Sequence, residues 1–151
     1  FSQETALSTL NHEIWHNANK LGNIGMTKLQ TRYMELANEL VARNRLPDFM
    51  EKLGGKLQNP SLMIDRANTG YNTMVKNFQK LIEISRADKA AILADVETYL
   101  VNESYKTQVE GLVNALMKHS KVKLTKTQAR KMIKGTLQYT QEGYGKFLES
   151  F

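Results

Sequence analysis

Residues 27–43 read TKLQTRYMELANELVAR, and apolar side chains recur in this stretch at the spacing of an α-helix. The apolar residues that share one helical face are Leu29, Tyr33, Leu36 and Leu40. Similar periodicity runs through most of the chain, and no alternating run of β-branched residues with hairpin turns competes with it. The chain also contains only two prolines. The sequence therefore predicts an all-α fold.

The length of 151 residues suits one compact domain with an ordinary hydrophobic core. Hydrophobic residues make up 41% of the chain and charged residues 24%, which is typical of a globular protein and not of a disordered one. We expect a single domain over residues 1–151 with about five to seven helices. Because the sequence begins with Phe1 and not with methionine, it is also consistent with the C-terminal part of a larger protein trimmed before Phe1.

The first two helices are expected to pack as an antiparallel hairpin. The first should span about residues 3–20, and the second about residues 27–43, with Gly22 and Gly25 in the turn between them. The apolar stripe predicted for the first helix consists of Leu7, Leu10 and Ile14, with Ala18 as a candidate fourth member.

Capping signals divide the rest of the chain. Ser85-Arg86-Ala87-Asp88 resembles a capping box, and Thr125-Lys126-Thr127-Gln128 is a regular one. Pro47 is expected to start a short helical turn that Gly54-Gly55 ends. The longer helices are predicted over about residues 60–85, 85–102, 104–119 and 125–149.

Residues 12–16 read His12-Glu13-Ile14-Trp15-His16, which contains the pattern H-E-x-x-H. On an α-helix, positions i and i+4 share a face, so two imidazoles at this spacing can bind one Zn²⁺. The glutamate beside the first histidine then lies near the water that the metal activates. This pattern predicts a zinc site with His12 and His16 as ligands and Glu13 as the base.

A catalytic zinc usually has three protein ligands, so one more is needed. In an antiparallel hairpin about the glycine turn, residues whose numbers sum to about 47 lie level, which places Glu35 opposite His12. Glu39 lies one turn further along the same face. Glu35 is therefore the first candidate for the third ligand and Glu39 the alternate. His119, the remaining histidine, lies far away in a basic segment.

The H-E-x-x-H motif followed by Glu35 resembles the zincin metallopeptidases, in the branch whose third ligand is a glutamate on a following helix. The resemblance covers about residues 7–45. It implies a zinc-dependent hydrolase, or a domain derived from one, in which Glu13 acts as general base on a peptide or protein substrate. Zincins usually place a small sheet before the motif helix, whereas only eleven residues precede His12. Arg32, Tyr33 and Tyr71 are candidates for stabilising an oxyanion, and the sequence selects none of them.

A run without acidic residues supports a second hypothesis, a non-catalytic helical interaction module. Its cations are Lys118, Lys121, Lys123, Lys126, Arg130, Lys131 and Lys134. Such a run can contact phosphates, so the basic C-terminal third is expected to bind nucleic acid or an acidic protein partner. The net charge of +6 permits either partner.

Several classes of site and segment are excluded by composition. The chain has no cysteine, which excludes disulfides, thiolate metal sites and cysteine nucleophiles. No stretch approaches the roughly 20 apolar residues of a membrane-spanning helix, and the first residues do not resemble a signal peptide.

Overall fold

The structure is a computed structural model that describes residues 2–19, 25–63 and 70–151. The described residues form seven α-helices and no β-strand, so the all-α prediction is confirmed. The helices are α1 (Ser2–Asn17), α2 (Lys28–Lys52), α3 (Asn72–Ser85), α4 (Lys89–Asn102), α5 (Gln108–His119), α6 (Lys126–Gln138) and α7 (Gln141–Glu149), with 3-10 turns at Pro60–Met63 and Tyr105–Thr107. None of these helices combines the length and the apolar character needed to cross a bilayer.

Helix α2 is the central element, because α1, α3, α4 and α5 all pack against it. Helices α6 and α7 cover the other side of α3, and one main core joins the layers. Leu36 of α2, Phe78 of α3 and Tyr144 of α7 are fully buried in this core. A smaller cluster under the end of α2 contains Leu46, Met50 and Leu62.

Helices α1 and α2 pack together as the hairpin prediction requires. The apolar stripe predicted for α1 is wrong in part, since Leu10 and Ile14 are 50% and 45% exposed. The face that α1 buries is polar and contains Ser8, Asn11 and His12. Gly22 lies outside the described residues.

Helix α2 is longer than predicted, because it continues through Pro47 instead of ending at Arg43. Proline removes one backbone hydrogen bond from a helix interior. Burial of Leu46 and Met50 on either side of Pro47 offsets this loss. The helix ends where Gly54 adopts a φ of 82°, a left-handed conformation that favours glycine.

The predicted helix over residues 60–85 is not continuous. A 3-10 turn covers Pro60–Met63, residues 64–69 lie outside the described part, and Gly70 is in a turn before α3 begins. The capping box predicted at residues 85–88 is also wrong. Arg86 has a φ of 53° and ends α3, while Asp88 alone caps α4 by accepting a hydrogen bond from Ala91 N.

The capping box Thr125/Gln128 is confirmed, but the single helix predicted to follow it is two helices. Tyr139 is extended between α6 and α7. Asn77 stabilises this break, because its Nδ2 donates to the carbonyl oxygens of Thr136 and Tyr139. Tyr144 packs back on Gly135, where an added Cβ would lie only 2.8 Å from its ring.

Gly111→Ala tests the close approach of α4 and α5. A Cβ at this position would lie 2.4 Å from the ring of Tyr99, whose hydroxyl is held by Thr107 Oγ1 at 3.2 Å. We expect a net loss of up to about 2 kcal/mol of unfolding free energy, because overpacking costs about 1–3 kcal/mol and alanine regains about 1 kcal/mol of helix propensity. Urea denaturation measures the change.

Asn114→Ala, on the exposed side of α5, is the matched control for Gly111→Ala and should change the unfolding free energy by less than about 0.5 kcal/mol. A stabilised Gly111→Ala variant would show that the two helices are further apart than described.

Candidate metal centre

The polar face of α1 is held against α2 by specific hydrogen bonds. Asn11 Nδ2 donates to the carbonyl oxygen of Ala42 at 2.7 Å, and Asn38 Nδ2 donates to that of His12 at 3.2 Å. The hydroxyl of Tyr105 donates to the carbonyl oxygen of His16. These contacts fix the rotation of α1 so that His12 is buried and His16 is half-buried.

Three potential ligands converge between α1 and α2. His12, His16 and Glu35 each offer one donor atom, and these atoms all lie within 4.8 Å of one another. His16 Nε2 is 2.9 Å from Glu35 Oε1, and His12 Nε2 is 3.8 Å from Glu35 Oε2. The two imidazole rings meet edge to face with centroids 4.6 Å apart. The hairpin therefore brings together the two motif histidines and the glutamate that the sequence placed level with His12.

Glu39 lies on the other side of His12 from this cluster. Its Oε2 is 2.9 Å from His12 Nδ1, while its Oε1 accepts a hydrogen bond from Arg43 Nη2 at 3.2 Å. Glu39 is fully buried, and its carboxylate is an acceptor, so the contact to His12 requires the proton on Nδ1. The lone pair of Nε2 is then directed at the cluster. Glu39, predicted as the alternate ligand, is placed where it would orient a ligand.

The charged forms of Glu35 and His16 are stabilised by their neighbours in the cluster. Burial alone would raise the pKa of Glu35, but hydrogen bonding to His16 and Tyr71 and the nearby imidazoles hold it below its usual value. Burial alone would lower the pKa of His16, but the hydrogen bond and negative charge of Glu35, with the charges of Glu13 and Glu39, raise it. The imidazolium form of His16 and the ionised form of Glu35 therefore stabilise each other.

The donor set fits zinc. Two imidazole nitrogens and one carboxylate, with a fourth position open, form a common catalytic zinc site. In a tetrahedral site with bonds of about 2.0–2.1 Å, two ligand atoms lie about 3.3 Å apart. Here Glu35 Oε1 is 2.9 Å from His16 and Glu35 Oε2 is 3.8 Å from His12, and one atom from each residue lies within 4.8 Å of the others, so small side-chain shifts would complete such a site. Glu35 Oε2 is buried without a hydrogen-bond partner among the described residues. A buried carboxylate oxygen in that state is a ready ligand.

Glu13 lies at the solvent side of the cluster. Its side chain is 61% exposed, and its Oε1 is 3.9 Å from His12 Nε2. Tyr71 stacks on His12 with ring centroids 5.8 Å apart. The other oxyanion candidates are used elsewhere, since Arg32 donates to the carbonyl oxygen of Leu137 and Tyr33 is buried in the main core. Of the three candidates, Tyr71 is the one at the cluster.

The predicted basic run is partly neutralised in the structure. Lys118 pairs with Asp95 at 3.7 Å, Lys126 pairs with Glu110 at 3.5 Å, and Arg130 also binds Glu110. The cations of the run that are exposed and have no ion pair among the described residues are Lys121, Lys123, Lys131 and Lys134. Binding of nucleic acid or an acidic partner by this surface stays a prediction. His119 is held by Asp95 at 2.6 Å and lies apart from the cluster.

Sequence reasoning missed the support behind His12. Arg43, which is 2% exposed, links Glu39 to Asn72, because its Nη2 is also 2.7 Å from Asn72 Oδ1. The spacing of Glu39 and Arg43, four residues apart on α2, was the available signal, since an i, i+4 pair shares a helix face.

No known protein family, curated protein or solved structure matches this chain.

Proposed function

We propose that the protein is a zinc-dependent hydrolase of the zincin type, acting on peptide bonds, or a domain derived from one. The observation that carries the proposal is the convergence of His12, His16 and Glu35 with Glu13 beside them. Zinc, when bound, supplies a Lewis acid that lowers the pKa of a coordinated water toward neutrality.

Each residue of the centre has a separate task. His12, His16 and Glu35 would hold the ion. Glu13, exposed at the open side, would accept the proton of the attacking water and pass it to the leaving amine. The hydroxyl of Tyr71 would donate to the developing oxyanion of the substrate carbonyl, because this side chain reaches both His12 and Glu35.

The direct test uses the whole chain loaded with one equivalent of zinc and incubated with a degenerate peptide mixture. Mass spectrometry of the products should show cleavage that a chelator stops and added zinc restores. If zinc is bound and no peptide is cleaved under any condition, the centre is not that of a peptidase.

Zinc affinity should fall as the pH is lowered. Zinc binds neutral imidazole, and the pKa of His16 is raised, so a proton must leave His16 when zinc binds. We expect the affinity to decrease by about tenfold per pH unit, for each proton displaced, once the pH is below that pKa. The pKa of Glu35 is lowered, so this carboxylate stays ionised through the same window and adds nothing to the slope.

Competition titrations with a zinc indicator, repeated between pH 8 and pH 6, measure this dependence. The folding stability of the metal-free protein should show the opposite dependence on pH, because it should decrease as the pH rises. A raised pKa in the folded state means that the His16–Glu35 pair contributes stability below the ordinary histidine pKa of about 6.5, and this contribution is lost as the pH rises through the raised value. Zinc affinity that does not change over this range would exclude imidazole ligands.

A further inference from the structure

Helix α2 also borders a cavity whose lining does not include His12, His16 or Glu35. The cavity has a volume of about 230 Å³, is partly open to solvent, and lies among α2, the 3-10 turn at Pro60–Met63, α3 and α4. An apolar cavity of about 150 Å³ can already hold a molecule the size of benzene, so this one has room for a short aliphatic chain.

The walls of the cavity are mainly aliphatic. Val75, Ile82 and Leu93 are all buried in the main core, and each also lines the cavity. Such walls favour an apolar occupant, because the transfer of a hydrocarbon chain from water to an apolar space is favourable.

The polar lining has one sign of charge. Arg43 and Lys89 are the two charged residues in the lining, and no carboxylate accompanies them among the described lining residues. Lys89 is exposed at the first position of α4 and has no ion pair among the described residues. Arg43 already donates hydrogen bonds to Glu39 and Asn72. Lys89 is therefore the cation of the lining that is available to a ligand.

We infer that this cavity binds a small organic anion with an apolar body, of the class of short-chain monocarboxylates. The hydrocarbon part occupies the aliphatic space between α2, α3 and α4, and the carboxylate pairs with Lys89 at the rim. Asn44 and Gln79 provide amide donors in the same lining. Arg43 of the lining also contacts Glu39 behind His12, but none of the three proposed zinc ligands lines the cavity, and the inference does not require the proposed hydrolase activity.

The test is an NMR titration of the uniformly ¹⁵N-labelled chain with sodium hexanoate and, separately, with 1-hexanol. Hexanoate should give saturable shifts centred on the amides around Val75, Lys89 and Leu93. Hexanol should bind about tenfold more weakly, because it offers no charge to Lys89. Non-saturating shifts, or shifts centred elsewhere, would overturn the inference.

Two variants separate the contribution of the Lys89 charge to binding from the contribution of the apolar space. Lys89→Gln should weaken hexanoate binding by about tenfold and leave hexanol binding unchanged, while Lys131→Gln, an exposed lysine outside the cavity, should change neither. Val75→Phe should weaken both ligands by filling the cavity. If Lys89→Gln binds hexanoate as tightly as the unmodified chain, the assignment of Lys89 as the carboxylate partner is wrong.

Discussion

Glu13→Gln is expected to keep zinc and to lose peptide cleavage. The amide cannot accept a proton at neutral pH, so the rate should fall by about a hundredfold to ten-thousandfold, the range that general base catalysis contributes. Zinc should remain, because Glu13 is outside the group of three converging donors and its side chain is 61% exposed. Cleavage rate and bound zinc, measured on the same sample, give both quantities.

Glu149→Gln, an exposed glutamate at the end of α7, is the control for Glu13→Gln and should keep the full rate. Cleavage by Glu13→Gln at the rate of the unmodified chain would remove Glu13 as the base. Loss of zinc from Glu13→Gln would instead make Glu13 a ligand.

Glu39→Gln is expected to weaken zinc binding by about tenfold to a hundredfold without removing a ligand. Glu39 fixes the proton on His12 Nδ1, and such supporting contacts contribute about that much to metal affinity. The metal-free fold should also lose about 3 kcal/mol, because Arg43 loses its contact with the buried carboxylate of Glu39. Zinc competition titration and urea denaturation measure the two effects.

The double variant Glu39→Gln with Arg43→Met separates these two effects. It should recover part of the lost stability, since the buried cation is removed together with the carboxylate that it contacts, while zinc affinity stays reduced. Glu51→Gln, an exposed glutamate on the same helix, should change neither quantity. Zinc binding by Glu39→Gln at full affinity would contradict the positioning role.

The helical content of the fold could be predicted from the sequence because it depends on local periodicity. The errors in the predicted helix boundaries occur where contacts between residues far apart in the sequence determine where a helix ends. Helix α2 passes Pro47 because Leu46 and Met50 are buried, and the break at Tyr139 is stabilised by Asn77 of α3. The polar face of α1 was missed because its hydrogen-bond partners, such as the carbonyl oxygen of Ala42, lie on another helix.

For the site, the level of each residue in the hairpin could be predicted, but the direction of its side chain could not. Glu35 and Glu39 are one turn apart on α2, yet they contact opposite nitrogens of His12. The turn length places Glu35 level with His12 and Glu39 one turn further, but it does not show which nitrogen of His12 each carboxylate contacts. The pairing of Arg130 with Glu110 could likewise not be predicted from the sequence, because the two residues come together only when α5 and α6 pack.

The most direct test of the metal centre is the zinc content of the purified chain after incubation with excess zinc and gel filtration. The structure predicts one zinc per chain, and less than about a tenth of that in His16→Ala and in Glu35→Ala, each of which removes one of three ligands. Circular dichroism should show that both variants remain helical. A wild-type chain without zinc, or variants that retain it in full, would contradict the account.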